Sequence, residues 1–331
     1  MGEDLPGDPH CLSIKMPDED NKLAFVFPGQ GSQSIGMLTE LAQHYSEVQD
    51  TFDVALSVLG YDLWQVIQHG PEHELNLTHI TQPAMLAAGV AVWRVWLSRG
   101  GKTPGIMAGH SLGEYTALVC SGVLTLEAAV VLVSERGRFM QEAVPDGEGA
   151  MAAILGLDDE RVMDVCRQAA QDDIVNAVNF NSPGQIVIAG NASAVARAIE
   201  LAKQAGAKRA LLLPVSVPSH CSLMETAASH LSKMLQDIEF RSPAIPVINN
   251  VDVAIYSDPE AIRDALVRQL YNPVRWVEII RYMASTGVNT LIECGPGKVL
   301  AGLNKRIDRD MTVMPVYDST TLEQALADTG D

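Results

Sequence analysis

The sequence predicts an α/β fold: a parallel sheet with helices on both faces and a smaller βαββαβ unit inserted into it. Three observations carry this. Short apolar runs ended by Gly or Pro alternate with helix-length segments along most of the chain. Residues 147–216 change rhythm to strand, helix, strand, strand, helix, strand. The 331 residues are enough for about two domains of ordinary size.

Residues 1–21 are polar, acidic and rich in Pro and Gly, and read as a disordered leader. Leu23–Phe27, ended by Pro28-Gly29, is a buried strand. One helix is expected over about residues 37–59. Another begins at Pro83, a residue suited to the first helical position, and stops at Gly100-Gly101. Residues 106–108 form a strand and residues 111–120 a short helix closed by Gly122. Thr125 caps a helix reaching about Val144. In the inserted unit, strands are expected at 151–157, 174–180, 185–189 and 209–215, helices at 158–170 and 192–205, and a turn at Asn181-Ser182-Pro183-Gly184. That order is the split-βαβ, or ferredoxin-like, pattern. Strands at 246–249, Thr290–Cys294 and Thr312–Val316 return the chain to the parallel sheet. The expected division is a large discontinuous subdomain (22–146 and 217–316), the ferredoxin-like subdomain (147–216) and an acidic tail (317–331).

Composition narrows the function classes. With 47% hydrophobic and 19% charged residues, the chain is a folded protein over most of its length. The apolar stretch 83–93 stops at Arg94, short of the roughly 20 residues that cross a bilayer. The first residues carry neither a basic nor an apolar signal region, so a cytosolic chain is expected. Net charge is −18, of which residues 1–20 and 308–331 supply −10. Such a surface repels nucleic acid. Five scattered cysteines with no CxxC pair read as reduced thiols.

The strongest chemical signal is Gly109-His110-Ser111-Leu112-Gly113, between an expected strand and an expected helix. Small residues on either side of the serine suit a turn too sharp for side chains, and the helix start aims N–H groups at a reacting oxygen. Ser111 with Glu114 also fits an ordinary Ser-x-x-Glu capping box. His220, in Pro218-Ser219-His220, is the better base, because the neighbour His110 should diverge from Ser111. Cys221 reads as a small buried residue. His69-x-x-Glu72-His73 has the spacing of a zinc motif, but Gly70-Pro71 breaks the helix it needs, so no metal site is expected. Gly295-Pro296-Gly297-Lys298 lacks the remaining residues of a phosphate loop, and Gly29-Gln30-Gly31 with Gly36 is not a dinucleotide fingerprint.

Seven segments in order resemble the malonyl-CoA:acyl carrier protein transacylases of type II fatty-acid synthesis. They are Phe27-Pro28-Gly29-Gln30-Gly31-Ser32-Gln33, Thr81-Gln82-Pro83-Ala84, Gly109 to Tyr115, Arg136 to Gln141, Asn179 to Gln185, Pro218-Ser219-His220 and Glu293 to Lys298, spread over about residues 22–316. The resemblance implies an α/β-hydrolase-like large subdomain carrying the ferredoxin-like insertion. It also implies ping-pong transfer of malonyl from malonyl-CoA to the phosphopantetheine thiol of holo-acyl carrier protein, with no bound cofactor.

On that resemblance Ser111 is the nucleophile and His220 its base, and the N–H groups of Gln30 and Leu112 form the oxyanion hole. Arg136 pairs with malonate's free carboxylate, where its bland alternative is a surface salt bridge to Glu135 or Glu142. Gln82 and His110 line the pocket. Gln269 orients the histidine through an amide or carbonyl oxygen, by side chain or backbone, with Asn249 and Asn250 supporting the region. Acyl carrier proteins are acidic, so a basic rim at Lys298, Lys305, Arg306 and Arg309 is expected to dock the carrier, with Lys203, Lys208 and Arg209 a second basic group. A monomer is expected. The rival readings are a serine thioesterase or esterase, a transferase that loads a polyketide carrier, and a non-catalytic interaction module.

Overall fold

The computed structural model describes residues 21–330 except Ser216; the expected leader lies outside them, apart from Asn21. The chain runs through β1 (Leu23–Phe27), α1 (Thr39–His44), α2 (Ser46–Leu59), α3 (Leu63–His69), α4 (Glu72–Leu75), α5 (Thr78–Ser98), β2 (Ile106–Gly109), α6 (Leu112–Cys120) and α7 (Leu126–Glu142). The insertion follows: β3 (Gly149–Leu155), α8 (Asp159–Ala170), β4 (Val175–Ser182), β5 (Gln185–Asn191), α9 (Ala192–Gln204) and β6 (Arg209–Leu212). After it come α10 (Glu225–Gln236), β7 (Val247–Ile248), α11 (Pro259–Gln269), α12 (Trp276–Ser285), β8 (Thr290–Cys294), α13 (Val299–Ile307), β9 (Thr312–Val316) and α14 (Ser319–Thr329).

Strands β7-β2-β1-β8-β9 form a five-stranded sheet, parallel throughout. Its central strands are apolar on both faces because helices cover both. Phe25, Trp93 and Trp96 pack edge-on in the core on one side, and Trp276, Ile279 and Leu300 fill the other. The insertion is a four-stranded antiparallel sheet in the order β4-β5-β3-β6, which is the ferredoxin-like order. Helices α8 and α9 cover one of its faces through Val162, Val165, Val195 and Ala198. Chain pairing ties the two sheets together, since the Phe180 N–H donates to the Val274 carbonyl (3.0 Å) and the Val274 N–H to the Val178 carbonyl (2.8 Å).

Several expected boundaries differ for local reasons. The helix expected over 37–59 is two, because Tyr45 adopts extended geometry (φ −133°) between α1 and α2. Helix α5 begins at Thr78, so Pro83 lies inside it instead of opening it. A proline there leaves the carbonyl four residues back without its donor. The Ser134 hydroxyl of α7 supplies one, 3.2 Å from the His79 oxygen. Strand β6 stops at Leu212, and the residues after it form a wall of the site described below. The stretch expected as an acidic tail holds α14, which buries Leu322 and Ala325. Helix α3 ends at His69 and α4 starts at Glu72, so His69 and His73 do not share a helix. Among the described residues no helix is long and apolar enough to cross a membrane, and Cys120, Cys166, Cys221 and Cys294 are free thiols.

Candidate active site

The loops leaving the carboxyl ends of β1, β2, β7 and β8 meet on one side of the sheet, where parallel sheets commonly bind ligands. Ser111 stands at the turn from β2 to α6 with φ 51° and ψ −105°. A non-glycine residue held there is strained, and such strain tends to accumulate at functional sites. The neighbouring glycines are sterically required. A Cβ on Gly109 would sit 1.8 Å from the Gly113 carbonyl carbon, and one on Gly113 would sit 2.0 Å from the Phe27 oxygen. The alternative reading of Ser111 and Glu114 as a capping box is not met: Ser111 makes no side-chain cap. Glu114 turns inward, and its Oε2 accepts from the Asn250 N–H (3.0 Å) and Gln269 Nε2 (2.8 Å). Burial pushes that carboxyl up to about 7. Asn250 braces the turn, accepting from the Ser111 N–H at 2.7 Å and donating to the Gly109 carbonyl at 2.8 Å.

His220 Nε2 lies 2.8 Å from Ser111 Oγ, and its Nδ1 lies 2.7 Å from the backbone carbonyl of Gln269. A carbonyl only accepts, so Nδ1 carries the proton and Nε2 is free to accept from the serine hydroxyl. His220 also has positive φ (67°), and its N–H donates to the Leu270 carbonyl at 2.9 Å, which fixes the ring against the end of α11. Burial, and next the Arg136 cation, lower its pKa to about 3.

Arg136 is 1% exposed. Its guanidinium donates to Gln82 Oε1 (2.8 Å), Gln269 Oε1 (2.9 Å) and Ser111 Oγ (3.3 Å), and lies over the Tyr115 ring. All three acceptors are neutral oxygens, and Arg136 Nε has no partner among the described residues. The buried charge is therefore left without a carboxylate bonded to it, an arrangement that favours an incoming anion. The surface pairs with Glu135 and Glu142 belong to Arg138 instead.

These groups open on a cavity of about 290 Å³, lined by Gln30, Gln82, His110, Ser111, Leu112, Arg136, Asn179 and His220 among others. The glycine-rich loop comes close because Gly29 has no side chain; a Cβ there would lie 2.5 Å from the His110 oxygen. The N–H groups of Gly113 and Glu114 are taken by the carbonyls of His110 and Ser111. Leu112 presents the first N–H of α6 beside Ser111.

A family model described as the acyl transferase domain matches residues 24–321. The chain belongs to the acyl transferase family. It is similar to the malonyl CoA-acyl carrier protein transacylase of Salmonella typhimurium, at 57% identity over 92% of this chain and 99% of that protein. It also resembles the enzyme of the same name from Bacillus subtilis, at 46% identity over 92% and 96%. An acyl carrier protein S-malonyltransferase from Vibrio cholerae has a TM-score of 0.90 at 58% identity, covering 92% of this chain and 99% of that one. A malonyl-transacylase solved in complex with a type II polyketide acyl carrier protein has a TM-score of 0.92 at 57% identity, over 93% and 99%.

In this acyl transferase the geometry brings together Ser111, His220, Arg136, Gln82, Gln269, Gln30, Leu112 and His110. His110 diverges from Ser111, its Nε2 lying 2.7 Å from Asn181 Oδ1. Asn250 is in the site, whereas Asn249 shapes a local turn by accepting from the N–H groups of Val251 and Asp252. Cys221 is buried, and its thiol is pushed up to about 11 by burial. Lys298, Lys305 and Arg306 are exposed around α13 and line no wall of this cavity; Arg306 reaches Gln185 of the insertion at 2.7 Å. Sequence reasoning gave no inward role to Glu114 or Asn181. The Ser-x-x-Glu spacing pointed Glu114 at the helix end, and nothing in the order of residues signals that a carboxyl will be buried.

Proposed function

We propose that this chain transfers a malonyl group from malonyl-CoA to the phosphopantetheine thiol of an acyl carrier protein, supplying extender units for fatty-acid synthesis. The reading is carried by one relationship: a buried cation bonded only to neutral acceptors stands 3.3 Å from the oxygen of an activated serine. A plain esterase has no use for that cation. An acyl group ending in a carboxylate does.

Arg136 receives the malonyl carboxylate. Ser111 Oγ attacks the thioester carbonyl while His220 Nε2 takes the hydroxyl proton. The N–H groups of Leu112 and Gln30 hold the oxyanion. The tetrahedral adduct then expels coenzyme A as a thiolate, which takes the proton from Nε2, leaving a malonyl ester on Ser111. The pantetheine thiol of the carrier repeats these steps in reverse. A thioester is consumed and a thioester formed, so the exchange needs no energy input and no cofactor. Water is the competing acceptor, and a narrow cavity limits its access. Lys298, Lys305 and Arg306 are the docking cations in this reading, and the enzyme is a cytoplasmic monomer. Support for a carrier partner comes from the relative solved with an acyl carrier protein.

Intact-protein mass spectrometry after brief mixing with malonyl-CoA tests it. The expected result is a malonyl-sized adduct that is missing in Ser111→Ala and is discharged by holo-carrier protein. Release of coenzyme A with neither adduct nor carrier transfer would establish a hydrolase instead.

A further inference from the structure

Among the described residues two carboxyl side chains are buried, Glu293 and Glu114. Glu293 has a task in the fold: its oxygens accept from the N–H groups of Leu300 (3.0 Å) and Ala301 (2.6 Å) at the start of α13. A carboxylate in that place caps the helix. Glu114 caps no helix among the described residues. It lies in α6, which is buried from Leu112 to Leu118 and where an apolar side chain would avoid the cost of burying a carboxyl. Its Oε2 receives two donors instead, the Asn250 N–H at 3.0 Å and Gln269 Nε2 at 2.8 Å. Each donor leads to a different part of the site. Asn250 braces the Ser111 turn through the Ser111 N–H and the Gly109 carbonyl. Gln269 offers its other end, Oε1, to the Arg136 guanidinium at 2.9 Å.

A carboxamide has one donor end and one acceptor end. The Glu114 carboxyl, with the Ser111 carbonyl at 3.1 Å, takes the donor end of Gln269, so the acceptor end faces the cation. A carboxylate bonded directly to Arg136 would occupy the donors that an acyl carboxylate needs. With the amide interposed, the acid sits one side chain back, and the guanidinium is aimed while staying open to an anion. Both bonds end on one oxygen atom. The turn that carries Ser111 and the side chain that steers Arg136 are therefore pinned at a single point. We propose that Glu114 is a positioning residue for selectivity toward acyl groups that end in a carboxylate: through Gln269 it holds the Arg136 guanidinium in register with Ser111 Oγ, 3.3 Å away. The inference rests on the transacylase reading.

Loading of Ser111 from malonyl-CoA and from acetyl-CoA is followed by intact mass, and the malonyl-to-acetyl ratio of kcat/KM is read. A general weakening of the fold lowers both values and leaves their ratio alone. In Glu114→Leu the ratio should fall about tenfold, the worth of one good hydrogen bond. Glu114→Asp, whose carboxylate stops one methylene short of Gln269, should lower it too, and it serves if the leucine variant does not fold. Glu114→Gln, whose carboxamide oxygen can accept both bonds, should keep the ratio of the parent. In a Gln269→Ala background, Glu114→Leu should lower the ratio no further, because the route through Gln269 is already cut. A ratio unchanged in the folded leucine or aspartate variant, a glutamine variant as impaired as these, or losses that add across positions 114 and 269 would each overturn the assignment. Failure of the parent to load from malonyl-CoA at all would instead bring down the transacylase reading.

Discussion

Gln269 meets His220 with its backbone carbonyl, 2.7 Å from Nδ1, and sends its side chain elsewhere, to Arg136, Glu114 and the Ser111 carbonyl. Orientation of the His220 ring therefore does not depend on which side chain occupies position 269. Gln269→Ala should keep the histidine tautomer and lower single-turnover loading by about tenfold, through the looser hold on Arg136. His220→Ala should lower it by about a hundredfold or more. Rapid-quench measurement of malonyl-Ser111 formation compares the two, and equal losses would contradict the backbone contact.

Arg136→Met keeps the bulk and removes the cation. Loading from malonyl-CoA should drop by about 10²- to 10³-fold, the range for a buried charge pair that loses one partner. Loading from acetyl-CoA, which brings no carboxylate, should not fall. The malonyl-to-acetyl ratio of adduct formation measures this directly.

The pH profile follows from the same neighbour. With its pKa lowered to about 3 by burial and then by Arg136, His220 stays neutral and able to accept a proton well below 6.5. Acidifying from pH 7.5 to pH 5 should leave kcat/KM for loading level, where an ordinary imidazole base would lose about thirtyfold. A bound malonyl carboxylate offsets the Arg136 charge, so the acid limb of kcat should lie at higher pH than that of kcat/KM. For stability the sign is opposite to that of a salt-bridged histidine. The unfolded chain takes a proton near 6.5 and the folded one does not, so this group's contribution is complete above 6.5 and declines as pH falls toward 3.

Glycine positions divide sharply. Gly109→Ala drives a Cβ to 1.8 Å from the Gly113 backbone and should leave little folded protein. Gly302, inside α13, has open space at its Cβ position. Gly302→Ala should stabilise by about 0.5–1 kcal/mol, the helix penalty of glycine. Thermal melts of the two variants check both directions.

Charge reversal at Lys305 and Arg306 should slow discharge of malonyl-Ser111 to holo-carrier protein, more so at low salt, and leave loading from malonyl-CoA unchanged. Separate timing of the two half-reactions decides it; equal slowing of both would place these cations outside a docking role.

Most of the fold was legible because its signals are local. The apolar run of β1, the βαββαβ rhythm and Thr125 as a cap all lie within a few residues of what they determine. The misplaced start of α5 shows where local rules fail: Pro83 is tolerated mid-helix by a hydroxyl on a different helix, 51 residues later in sequence. In the site, Ser111 and its flanking glycines announce themselves through turn geometry. The inward turn of Glu114 does not, since it depends on what the tertiary packing brings opposite it.

Helices α5 and α7 are locked at one level. Gly137 leaves room for the His79 backbone, where a Cβ would come within 2.7 Å, and Ser134 bonds to the His79 oxygen one turn away. Gln82 and Arg136 extend from the same stretch of the two helices and meet at 2.8 Å. The pair works as a vernier. A slip of one residue would displace the helices by about 1.5 Å, enough to part the guanidinium from its glutamine. The backbone therefore has no freedom to resize this end of the cavity, and a change in acyl-chain preference has to be written in side chains such as Leu112 and Met140, with the helix frame untouched.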